Sequence, residues 1–70
     1  MQRQPVQSSV IDAVGHDPAT NVLEIEFGSG ETYRYFAVPA SVYQEFLHAE
    51  SLGAFFARRI RHTYAYEKLS

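Results

Sequence analysis

The sequence predicts a small α+β domain, a three-stranded antiparallel meander followed by two short helices, and three observations carry that reading. Between Asn21 and Phe27 the apolar Leu23, Ile25 and Phe27 alternate with Glu24 and Glu26, the period-two pattern of a half-solvated antiparallel strand. Gly28-Ser29-Gly30-Glu31 follows at once, a Gly-rich run of hairpin-turn type. Farther on, Val42, Tyr43, Phe46, Leu47 and Ala49 recur at helical spacing and form an apolar stripe suited to lie on a sheet.

Residues 1–7 are polar around Pro5 and read as a flexible N-terminal arm ahead of one domain over residues 8–70. The first strand is expected over Ser9–Val14, with Ile11 and Ala13 on one side and Val10, Asp12 and Val14 on the other. Gly15-His16-Asp17-Pro18-Ala19-Thr20 should stop it, because Asp-Pro initiates turns and glycine accepts positive φ. After the second strand and its turn, Thr32–Val38 reads as the third, with Tyr33, Tyr35 and Ala37 opposite Arg34, Phe36 and Val38. Connections this short favour a meander. Pro39 suits the first helical position, and Ser41 followed by Gln44 has the spacing of a capping box. A second helix should start at Ser51, with Leu52, Phe55, Phe56 and Ile60 on one side, Arg58 and Arg61 on the other, and Arg59 inside the apolar sector. From Thr63 to Leu69, Tyr64 and Tyr66 alternate with Thr63, Ala65 and Glu67, which leaves a fourth C-terminal strand or an extended tail open.

Seventy residues bury only roughly 60% of the surface their unfolded chain exposes. The 46% hydrophobic content, with five Phe and five Tyr, supports a dense core, but with no cysteine there is neither a disulfide nor a thiolate metal site. His16, His48 and His62 lack metal-ligand spacing, so no metal or cofactor is expected. A homodimer is the remaining common way to stabilise so small a fold. The chain has no apolar run long enough for a membrane span, and Met1-Gln2-Arg3-Gln4-Pro5 lacks the apolar stretch of a secretory signal, so the expected location is cytoplasmic.

The net charge of -2 conceals an asymmetry. Residues 1–52 set Arg3 and Arg34 against seven carboxylates, whereas residues 53–70 set Arg58, Arg59, Arg61 and Lys68 against Glu67 alone. Local patches of this kind steer anionic partners. Arg58 and Arg61, three apart on a helix, are either a solvated helix face or a pair spaced to meet neighbouring phosphates, and their place near the helix C-terminus also favours the macrodipole. Arg59, in the apolar sector, should snorkel, pair with Asp12, Glu24 or Glu26, or cross a dimer interface. Tyr33 and Tyr35 share a strand face, either packed in the core or displayed as a platform for stacked bases.

Catalytic patterns are missing: there is no Cys nucleophile, no Gly-x-Ser-x-Gly elbow and no phosphate-loop glycine pattern. Glu24 and Glu26 would lie about 7 Å apart on one strand face, a separation usable by paired carboxylates, but that face is expected to be solvated. Gly53 points to close backbone packing rather than to an anion site at the second helix's start. The expected function is therefore non-enzymatic: a nucleic-acid-binding module acting as a homodimer, with Arg58, Arg61, Arg34, His62, Tyr33 and Tyr35 as contact residues. The alternative is a protein-interaction module in which Arg59, Phe55, Tyr64 and Tyr66 form the dimer or partner interface.

An ordered set of positions adds a resemblance. Ser8-Ser9, Ile11, Val14-Gly15, Asp17, Leu23, Ile25, Phe27, Gly30, Tyr33-x-Tyr35 and Val38-Pro39 are followed by Val42-Tyr43, Phe46, Ala49, Ser51, Gly53, Phe55-Phe56, Ile60-Arg61 and Tyr64. Together they resemble the KTSC domain, a small bacterial family named for its occurrence at the C-terminus of some lysyl-tRNA synthetases. The sequence departs from that pattern at His16, where an aromatic often follows the glycine, and at Ala57, where an asparagine is frequent. The resemblance implies RNA binding through the attachment to a tRNA-charging enzyme, an association rather than a property of the fold.

Overall fold

The computed structural model describes residues 2–70; Met1, at the start of the expected arm, lies outside the described residues. Five strands form one antiparallel sheet in sequence order: β1 (Gln4–Pro5), β2 (Ile11–Asp17), β3 (Val22–Phe27), β4 (Thr32–Tyr35) and β5 (Tyr66–Lys68). Between β4 and β5 the chain makes α1 (Ala40–Leu47), α2 (Leu52–Phe55) and a π-helical turn (Phe56–Ile60). The α+β class and the central meander of β2, β3 and β4 are as the sequence predicts, and the C-terminal segment pairs within its own chain, Tyr35 facing Tyr66.

One face of the sheet carries the core. Ile11, Val14, Leu23, Ile25 and Tyr35 pack with Val38, Phe46, Leu52 and Ile60 from the layer above, and Val42, Tyr43, Leu47, Phe55, Phe56 and Tyr64 close in around them. The alternation in β3 thus places Leu23 and Ile25 against the helices, both fully buried. At about 25 cal/mol per Å² of apolar surface removed from water, this layer is the main source of stability.

Several boundaries differ from expectation, each for a local reason. The first strand runs on through Gly15-His16-Asp17, because the turn begins only at Asp17, whose Oδ1 accepts from the Ala19 amide at 2.9 Å and whose carbonyl accepts from the Asn21 amide at 2.8 Å. The third strand stops at Tyr35, since Ala37 has φ 58°, outside the strand region. Pro39 is the residue before α1 rather than its first residue, and no side chain caps that helix, so the Ser41 and Gln44 capping box does not form. Ser51 does cap α2, its Oγ accepting from the Ala54 amide at 3.1 Å. A Cβ at Gly53 would approach Val10 Cγ2 to 2.8 Å, so close packing accounts for that glycine.

The expected flexible arm instead contributes an edge strand, Gln4 facing Val14 and Pro5 facing Ala13. Its approach requires Gly15, where a Cβ would lie 2.6 Å from the Gln2 carbonyl oxygen and 3.2 Å from Arg3 Cα.

The π-helical turn corrects the placement of Arg59. In an unbroken α-helix Leu52, Phe55, Phe56 and Arg59 share a face, which would put a guanidinium in the core. Here the Arg61 amide donates to the Phe56 carbonyl at 2.9 Å, an i→i+5 bond that takes in one extra residue. Ile60 takes the inward position, fully buried, and Arg59 turns out to solvent.

Candidate functional site

The outer face of the sheet is charged and committed to itself. Arg3 Nη1 donates to Glu24 Oε1 at 3.0 Å, and Arg34 donates to Glu24 Oε2 from Nε at 3.1 Å and Nη2 at 2.9 Å. Arg3 also reaches Glu26 at 3.6 Å and Arg34 reaches Glu67 at 3.7 Å. A row of alternating charges therefore crosses the sheet, and Glu24, expected to be solvated, is buried within it. Arg34, expected to contact nucleic acid, is held in this row on the face away from the helices.

The helix face holds a different arrangement. Cross-strand pairing sets Tyr35 beside Leu23 and Tyr33 beside Ile25, so both tyrosines rise toward the helices, and Tyr66 joins them from β5. Ring centroids lie 6.3 Å apart for Tyr33 and Tyr35, 5.7 Å for Tyr33 and Tyr66, and 5.8 Å for Tyr35 and Tyr66. Phe27 meets Tyr33 and Phe56 edge-on, and Phe56 meets Tyr35 in the same way. Such edge and offset pairs are the favoured aromatic geometries.

These rings line an open cleft of about 720 Å³, which Ser9 and Val10, Gly28, Ser29 and Glu31, and Arg61 and His62 complete. Its size lies within the range of small-ligand sites. Tyr35 is almost wholly buried, and burial, then the neighbouring Tyr33 and Tyr66 phenols, push its hydroxyl up to about 12, with Arg61 acting in the opposite sense. Glu31 is held below the usual carboxylate range by its hydrogen bond with Lys68, 3.0 Å away, then by the Lys68 charge and by the Ser29 hydroxyl, which donates at 3.2 Å.

Of the residues singled out from the sequence, Arg61, His62, Tyr33, Tyr35 and Tyr66 are brought together in this cleft. Arg58 is exposed and outside its lining, and Arg34 is on the other side of the sheet. Arg59 pairs with Glu45 at 3.3 Å, not with Asp12, Glu24 or Glu26, and its guanidinium sits 5.0 Å from the Phe55 ring centroid. Phe55 packs on Phe46 with centroids 5.6 Å apart, and Tyr64 is half-buried against the core. Sequence reasoning missed Phe27, Phe56 and Glu31 as cleft residues. The first two read as core from their periodicity, and no local signal shows that the layer above leaves them partly open.

Charge is distributed unevenly between the two faces. Arg3, Arg34, Arg59 and Lys68 each have a carboxylate partner. Among the described residues Arg58 and Arg61 are the arginines with no carboxylate oxygen within 4.0 Å. His16, where the family pattern often has an aromatic, keeps a flat ring in that place: it stacks on Tyr43 at 4.9 Å and 16°, and its Nε2 donates to the Val38 carbonyl at 2.7 Å. Ala57 is exposed on the π-helical turn and offers no polar group there.

Comparison with known proteins agrees with this architecture. The family model of the KTSC domain matches residues 7–64. A crystal structure of a KTSC domain protein from Yersinia pestis superposes with a TM-score of 0.93 at 43% identity, covering 99% of this chain and 97% of that one. A protein of Tsukamurella paurometabola is 50% identical over 52 residues, 74% of this chain and 78% of its own length. A lysine–tRNA ligase of Nostoc is 41% identical over 64 residues, 91% of this chain but 11% of the ligase. With this order of strands and helices, the Tyr33-x-Tyr35 pair on the helix face and matches of this extent, the chain belongs to the KTSC domain family.

Proposed function

We propose that this domain is a non-enzymatic module that binds single-stranded nucleic acid, with the aromatic cleft as its contact surface. The observation that carries the reading is the position of Arg61: an arginine with no ion pair among the described residues stands in a cleft lined by Phe27, Tyr33, Tyr35, Phe56 and Tyr66. Exposed rings accept unstacked bases of any sequence, and an unpaired guanidinium meets the backbone between them. His62 lines the cleft with Arg61, and Arg58 is exposed outside it. A duplex fits less well, since its bases are already stacked and the rings would have no face to meet. The relatives that carry this domain at the scale of one-ninth of a lysine–tRNA ligase make RNA the first partner to try.

The experiment is equilibrium binding of labelled single-stranded RNA, single-stranded DNA and duplex probes at low salt. Binding of the single strands that is weakened about tenfold or more by Arg58→Glu with Arg61→Glu supports the reading, since each reversed charge adds repulsion to a lost contact. No binding of any probe removes it.

A second reading, a protein-interaction module or homodimer, is favoured by β5, an edge strand that ends the sheet and carries Tyr66, with Leu69 just after it, both substantially exposed. An unpaired edge is a ready template for another strand. Sedimentation across a range of concentrations tests it: self-association lost on placing a proline at Lys68, whose amide faces away from β4 in the antiparallel register, supports the reading, and a monomer at all concentrations rejects it for a second copy of the chain.

A further inference from the structure

The tyrosines of the cleft do not have equivalent roles. Stacking a base needs an open ring face, and Tyr35 is only 4% exposed while Tyr66 is 60% exposed. Tyr35 meets Phe56 edge-on at 5.6 Å, so its ring is part of the packed layer. Its hydroxyl is placed differently. Every buried polar side-chain atom of the described residues has a hydrogen-bond partner, yet the Tyr35 hydroxyl takes none among them. Its Oη therefore opens into the cleft that the residue lines.

Arg61 lines the same cleft, close enough to act electrically on the Tyr35 phenol. A guanidinium carries donors only, and a neutral phenol donates one hydrogen. Two donors of this kind, one charged and one neutral, suit an anionic oxygen pair such as a phosphodiester. Glu31 lines the cleft too, but its charge is met by Lys68 and Ser29.

We propose that the Tyr35 hydroxyl and the Arg61 guanidinium form a phosphate subsite on the floor of the cleft, with the adjoining base stacked on Tyr66. The proposal rests on the nucleic-acid reading and assigns its chemistry: Tyr35 is a donor to the backbone rather than a stacking platform, and Tyr66 is the platform. Because the Tyr35 phenol stays protonated well above neutrality, the donor is present at every physiological pH. The occupant is a single strand rather than free phosphate, because the ring of Tyr66 adds contact that only a nucleotide uses.

The test measures binding of a labelled eight-nucleotide single-stranded RNA to the whole chain and to Tyr35→Phe, Tyr66→Ala and Arg61→Gln variants, with inorganic phosphate as competitor. Tyr35→Phe removes a hydroxyl with no hydrogen-bond partner among the described residues, so its melting temperature should match the parent's. Its affinity should fall about tenfold with an unchanged salt slope, the loss of one hydrogen bond to a charged group. Arg61→Gln should lower both affinity and slope, and the double variant should lose less than the product of the two. Tyr66→Ala should weaken the oligonucleotide while leaving competition by inorganic phosphate intact. If the parent binds and Tyr35→Phe binds equally well, the subsite is wrong although the nucleic-acid reading stands. If the parent binds no oligonucleotide, both fall.

Discussion

Arg3 lies across the bare backbone of Gly15, and that crossing ties the N-terminal strand to the buried carboxylate of Glu24. A Cβ at Gly15 would come within 2.6 Å of the Gln2 carbonyl oxygen and 3.2 Å of Arg3 Cγ, while Arg3 Nη1 is 3.0 Å from Glu24. Gly15→Ala should therefore displace β1 and cost about 1–3 kcal/mol of stability, the range for overpacking a filled site. Gly28→Ala is the control, because its Cβ would meet only ordinary contacts at 3.5 Å and beyond. Urea unfolding of both variants checks the difference.

Glu24 carries the row of charges on the outer face. Glu24→Ala leaves Arg3 and Arg34 turned toward each other without the carboxylate between them. Their side chains are 34% and 37% exposed, so water screens the repulsion and the cost should be about 1–3 kcal/mol rather than the full penalty of a buried unpaired charge. Arg59→Ala, which removes an exposed ion pair, should cost under about 1 kcal/mol. Denaturant midpoints that rank the two in the other order would contradict this assignment.

The π-helical turn holds one residue more than an α-helical turn, and Ala57 is exposed on it with no polar group. Deleting Ala57 should convert the segment to α-helix and keep Ile60 facing the core, because Ile60 then stands seven positions after Leu52 on the same face. The shortened chain should fold with a cooperative melt. Deleting Gln44 from α1 instead rotates Phe46 away from the core and should abolish that melt.

Tyr35 sets an alkaline limit. Its phenol is pushed up to about 12, above the unfolded value of 10.0, by burial first and then by Tyr33 and Tyr66. A group whose pKa is raised by folding contributes its stability below the unfolded value and loses it as pH rises through the folded one. Stability should thus decline between pH 10 and 12, and Tyr35→Phe should flatten that decline. Chemical denaturation at stepped alkaline pH measures the slope.

Much of the fold was legible in local pattern. The alternation of Leu23, Ile25 and Phe27 fixed a strand and its buried face, and Ser51 marked a helix start that its hydroxyl confirms. What stayed hidden depended on long-range partners. The pairing of Gln4 with Val14 has no local signal, and Glu24 read as solvated because its two arginines come from residues far apart in the chain. Arg59 was misplaced because helical phase assumes α geometry throughout, whereas the chain avoids burying it by a wider turn. The cleft was half legible: Tyr33, Tyr35, Arg61, His62 and Tyr66 were each singled out, but not their convergence.

The most direct test of the central claim is the salt dependence of single-stranded RNA binding by the parent, Arg61→Gln and Arg59→Gln. Phosphate contacts release counterions, so log affinity should fall linearly with log salt, and losing one contact should lower that slope by about 1. Arg61→Gln should show a shallower slope and Arg59→Gln an unchanged one, since the charge of Arg59 is already met by Glu45. Equal slopes for all three proteins, or no salt-dependent binding by the parent, would contradict it.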